Sequence, residues 1–100
     1  MTKVAVISRK SNQTNAFMVA VDIRKEKGEM PYDVKLIVHP DFVGPMEEFK
    51  PDFAIIGPET LPWQAEIIKY LDEHKIPYSI AKMSHFATRQ IESIFSHVKV

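Results

Sequence analysis

Two short segments of this chain, Val4-Ala5-Val6-Ile7 and Phe53-Ala54-Ile55-Ile56, are apolar without interruption. A strand that shows one face to water alternates apolar and polar residues; an unbroken run of four bounded by loop residues reads as a strand covered on both faces. Such strands need layers above and below them, and the rest of the chain supplies candidates. After Val4–Ile7 comes a polar stretch, Ser8-Arg9-Lys10-Ser11-Asn12-Gln13-Thr14-Asn15, and then Ala16, Val19, Ala20 and Ile23 at helical spacing, with Arg24, Lys25 and Glu26 on the far side. Thr14 or Asn15 can cap that helix and Gly28 can close it.

The pattern repeats. Tyr32–Val38 reads as a second strand, stopped by His39-Pro40, and Val43–Lys50 as a short helix. Phe53–Ile56 is the third strand, ended by Gly57-Pro58. Pro62 suits the first turn of a helix whose apolar stripe is Ile67, Ile68 and Leu71. Ile76–Ala81 is the fourth strand, and Ser84 can cap a last helix carrying Ile91, Ile94, Phe95 and Val98. Strands alternating with helices imply a parallel sheet joined by right-handed crossovers, with helices on both faces. The expected architecture is one α/β domain over residues 1–100, a length that suits one domain and not two. Ligands of such sheets bind outside the carboxyl ends of the strands. Three segments reach that edge and should share a rim: Ser8–Asn15, Gly57–Leu61 and Lys82–Phe86.

Composition narrows the chemistry. The 13 basic and 13 acidic residues balance, which argues against a nucleic-acid binder. With no cysteine, disulfides and thiolate metal sites are excluded. No segment approaches the roughly 20 apolar residues of a membrane helix, and the N-terminal apolar run is too short for a signal peptide. The expectation is a cytoplasmic protein without membrane insertion. The histidines His39, His74, His85 and His97 lack metal spacing and read as surface residues, with His85 singled out because it falls on the rim. Neither a metal nor a cofactor is called for.

The loop Ser8–Asn15 is the leading site candidate. It runs into a helix N-terminus, whose free N–H groups and positive end favour an anion. Ser8, Ser11 and Thr14 add hydroxyls, and Arg9 and Lys10 add charge; a solvated turn with helix caps is the plain alternative. Glu59, on the rim after the third strand, reads as a helix-starting carboxylate or a general base. Trp63 reads as a half-buried helix residue that could stack on a ligand, and Tyr78 as an ordinary strand residue.

Three places carry a family likeness. A Lys-apolar strand leads into a loop containing Thr14. Ile55-Ile56-Gly57-Pro58-Glu59 is an apolar strand ending in Gly-Pro and a polar residue. Ile76-Pro77 is followed by Ile80, Met83 and Phe86. Over nearly its whole length the chain resembles the lactose/cellobiose (chitobiose) class of IIB subunits of the bacterial phosphoenolpyruvate-dependent sugar phosphotransferase system. The resemblance implies a four-stranded parallel sheet in the order 2-1-3-4. It also implies that residue 8 accepts phosphate from a IIA subunit and passes it to sugar held by a membrane IIC subunit. The phosphate would sit among Arg9, Lys10, Ser11, Asn12, Gln13, Thr14 and Asn15, with Gly57, Pro58, Glu59, Met83, His85 and Phe86 around it.

The chain departs from that pattern where the chemistry would occur. Ser8 stands where the family has its phosphorylated cysteine, Ser11 where it has glycine, Gln13-Thr14 where it has Ser-Thr, Glu59 where it has glutamine and Phe86 where it has tyrosine. A thiolate forms readily beside a helix N-terminus, whereas a serine hydroxyl needs a base, and the sequence shows none beside Ser8. Two readings therefore stand: a IIB-type phosphate carrier, and a IIB-like regulatory or anion- and partner-binding module without transfer. An unrelated flavodoxin-like receiver or small-ligand domain ranks below both, because Ser8-Arg9-Lys10 has the opposite charge to a receiver's acidic cluster.

Overall fold

The computed structural model describes residues 2–98. The chain runs β1 (Thr2–Ser8), α1 (Asn12–Glu26), β2 (Tyr32–Val38), α2 (Val43–Phe49) and β3 (Phe53–Ile56). A 3₁₀ helix (Pro58–Trp63) follows, then α3 (Gln64–Glu73), β4 (Tyr78–Ile80), α4 (Met83–Ala87) and α5 (Ile91–Phe95). The four strands form one parallel sheet in the order β2-β1-β3-β4. Order and direction are those expected. The chain reverses its winding between β1 and β3, so the crevice of the fold opens at the carboxyl ends of these two strands, at Ser8 and Gly57.

The apolar runs are continuous because each face of the sheet feeds its own core. Val4 and Val6 of β1, with Phe53 and Ile55 of β3, pack against Phe17 and Val21 of α1 and against Phe86, Ile91, Ile94 and Phe95. Ala5 and Ile7, with Ala54 and Ile56, pack against Met46 of α2 and Ile67 and Leu71 of α3. Ser8 has the parity of Val4 and Val6, which puts its side chain on the α1 face. Among the described residues no helix is long and apolar enough to cross a membrane.

Local structure departs from the sequence reading in several places. The polar stretch after β1 shrinks: β1 runs through Ser8 and α1 starts at Asn12, so only residues 9–11 form loop. Ser11, rather than Thr14 or Asn15, caps α1, its Oγ accepting from the Thr14 amide at 3.1 Å. The face of α1 is rotated from the expected one. Val19 and Ile23 are 57% and 46% exposed, while Thr14, Phe17 and Val21 are buried. The large ring wins: Phe17 stacks on Phe86 at 4.6 Å between centroids, and that seat outweighs the smaller Ala16/Ala20 stripe. The expected single last helix is two, broken at Arg89, which takes a left-handed φ of 55°. The break lets Phe86 and the Ile91/Ile94/Phe95 group face the same core; Lys82, not Ser84, stands at the N-cap of α4. Pro62 lies inside the 3₁₀ helix, and α3 begins two residues after it.

Candidate functional site

Backbone hydrogen bonds pin the three strand ends together. The His39 amide donates to the Ser8 carbonyl at 2.9 Å, and the Gly57 amide donates to the Ile7 carbonyl at 2.8 Å. Gly57 has an ordinary extended backbone, φ −70°, ψ 145°, so its lack of a side chain is a matter of space. A Cβ there would lie 2.6 Å from Ser8 Oγ and 2.9 Å from Ser8 Cβ. Thr60 holds the turn after it, donating from Oγ1 to the Gly57 carbonyl at 2.8 Å.

Behind that turn, α1 and the 3₁₀ helix are tied by one carboxylate. Glu59 Oε1 accepts from Ser11 Oγ at 2.7 Å and from Thr14 Oγ1 at 2.6 Å. Thr14 has a single hydroxyl proton and gives it to Glu59. The 3.0 Å contact between Ser8 Oγ and Thr14 Oγ1 therefore has Ser8 as donor. The result is a directed chain from Ser8 through Thr14 to Glu59. The sequence showed no base beside Ser8; the fold places a carboxylate two hydrogen bonds away. Ser8 and Thr14 are fully buried. The α1 N-terminus thus has an anion already, supplied by the chain itself.

Beside this cluster lies a second one that the sequence reading missed. His39 is buried, 3% exposed, although histidines read as surface residues. Its Nε2 lies 2.8 Å from Glu66 Oε1, which can only accept, so Nε2 carries the proton and Nδ1 offers its lone pair to Arg9 Nη1 at 3.4 Å. The imidazole sits between the Phe42 and Trp63 rings, 5.8 and 5.1 Å away. The Arg9 guanidinium lies 4.5 Å from the Trp63 ring centre, a cation–π distance. Nothing in the primary structure flags His39, because it follows a strand and precedes a proline as any loop residue could. The Phe42 and Trp63 rings stand beside it, with Arg9 and Glu66 on its two nitrogens.

The structure therefore gathers Ser8, Ser11, Thr14, Gly57 and Glu59 into one cluster and puts Arg9 in the adjoining one. Chain comparisons add no relatives. No family model, no curated protein and no solved structure matches this chain. The remaining rim candidates stand outside the two clusters. Lys10, Asn12 and Asn15 are exposed and Gln13 is half-buried. Pro58 opens the 3₁₀ helix and is half-buried, as is His85. Met83 is 54% exposed, and Phe86 is a core ring against Phe17 rather than a rim group.

The directed chain makes a prediction. Thr14→Val keeps the shape of the side chain but strands the buried Ser8 hydroxyl without an acceptor and takes one donor from Glu59. It should lower the unfolding free energy by about 1–2 kcal/mol, read as a shift of the urea midpoint at constant slope. An unchanged midpoint would show that Ser8 finds another acceptor.

Proposed function

We propose that this chain is a IIB-like docking module that binds a partner protein of a sugar phosphotransferase system through its carboxyl-edge rim and does not carry phosphate. The observation that supports this reading is the Glu59 carboxylate on the Ser11 and Thr14 hydroxyls, beside a Ser8 with no exposed surface. A phosphoryl dianion on residue 8 would stand against a resident negative charge, and a buried hydroxyl cannot reach an incoming donor in line.

The rim outside that filled seat has the character of a contact surface. Val38, Val43, Leu61, Trp63, Ile80 and Met83 are exposed large apolar residues at or just beyond the carboxyl ends of strands. Apolar side chains gathered on one edge, with Arg9 and Lys10 among them, suit a partner that presents apolar and acidic groups.

The test is a titration of the chain with a IIA subunit of the lactose/cellobiose class, followed by mass measurement after exposure to the phosphorylated IIA. Binding without added phosphate is expected, and Arg9→Glu should weaken it by about tenfold. Phosphate gained at residue 8 would restore the carrier reading. Absence of binding would remove the phosphotransferase setting altogether.

A further inference from the structure

At the opposite, amino-terminal edge of the sheet, the last turns of α2 and α3 flank a cavity of about 340 Å³. This is within the size range of small-molecule sites. Met46, Pro51 and Ile76 give it apolar surface, and Tyr70 and His74 give it an aromatic wall. These two rings stack at 4.0 Å between centroids, 24° from parallel. Glu47 and Lys50 complete the lining.

Its polar groups come from Glu47, Lys50, Tyr70 and His74. His74 Nδ1 lies 2.8 Å from the Tyr70 carbonyl, which can only accept. Nδ1 is therefore the donor in this contact. Glu47 adds a carboxylate. Burial, and then the negative charge of Glu47, push the Tyr70 phenol above its usual 10.0, so it stays neutral and its ring keeps an uncharged π face. The 10-residue α3 ends here with its negative pole. Lys50 is the one cation among the described lining residues.

We propose that this cavity binds a small primary amine carried on an aromatic or alicyclic ring. The ring lies on the Met46, Pro51 and Ile76 surface, and the ammonium meets Glu47 and the Tyr70/His74 π faces. The site is remote from the carboxyl-edge rim, so its fate is independent of the docking reading above.

Benzylamine, cationic at neutral pH, is the probe, with benzoate and benzyl alcohol as the anionic and neutral counterparts of the same shape. In a heteronuclear NMR titration of the full chain, benzylamine should shift the Glu47, His74 and Ile76 amides saturably, with a Kd of about 1 mM. Benzoate and benzyl alcohol should bind at least about tenfold more weakly. Glu47→Gln, on an exposed helix position, should leave the thermal midpoint unchanged and weaken benzylamine by about fivefold. Benzoate binding as well as the amine would show that Lys50 rules the cavity and would overturn the proposal. So would shifts centred elsewhere, no saturable shift, or an unaffected Glu47→Gln variant.

Discussion

Phe17→Ala should destabilise the protein by about 3–5 kcal/mol, the range for removing a fully buried ring. Phe17 is fully buried. It stacks on Phe86 at 4.6 Å and lies parallel to Phe95 at 6.4 Å, and Phe95 in turn stacks on Tyr32 at 5.9 Å. This row of rings joins α1, α4, α5 and the start of β2. The short helices α4 and α5 have five residues each, too few to be stable by themselves. They are held by what Phe86 and Phe95 touch, so the loss should spread along the row. Urea unfolding followed by circular dichroism gives the free energy, and amide exchange shows where it falls. The expected pattern is loss of protection over α4 and α5 ahead of the sheet. A cost below about 1.5 kcal/mol would mean that neighbouring side chains refill the space, contrary to a well-packed row.

The same ring explains what could and could not be read from the sequence. The strands were legible because Val4–Ile7 and Phe53–Ile56 are apolar without a break, which only a doubly covered strand tolerates. The bounds of β2 came out at Tyr32–Val38 because His39-Pro40 ends the pattern sharply. On α1 two stripes compete, and periodicity alone cannot rank Ala16/Val19/Ala20/Ile23 against Thr14/Phe17/Val21. The partner ring Phe86, 69 positions away, decides. The site shows the same division. That Ser8 and Glu59 share the crevice follows from strand order, and strand order was legible. That Glu59 reaches Ser11 and Thr14 depends on a helix starting at Asn12, three residues before the polar stretch ends. His39 was illegible for a similar reason: its partners Arg9, Trp63 and Glu66 come from the loop after β1, the 3₁₀ helix and α3.

Gly57→Ala tests whether the crevice is as closed as this geometry requires. The added methyl would sit 2.6 Å from Ser8 Oγ, 2.9 Å from Ser8 Cβ and 3.2 Å from the Ile7 carbonyl oxygen. Rotation of the Ser8 side chain relieves the first contact and not the second, because Cβ moves only with the backbone. The backbone is pinned on both sides, by the Gly57 amide on Ile7 and the His39 amide on Ser8. The variant should therefore lose about 2–3 kcal/mol, as overpacking of a rigid site does. A clash with the Ile7 carbonyl alone would look the same in this single measurement, so the decisive comparison is a double-mutant cycle. Ser8→Gly removes both crowded atoms at a cost of its own of about 1–2 kcal/mol, from the lost hydroxyl bond and a glycine in a strand. If the clash with residue 8 is the cause, the combined Ser8→Gly/Gly57→Ala variant should be more stable than the sum of the singles predicts, by at least about 1 kcal/mol. Additive costs would place the strain at the Ile7 carbonyl instead. Ser8 would then have room to turn toward the α1 N-terminus, and the steric part of the objection to a phosphate-carrying residue 8 would be gone, leaving the Glu59 charge.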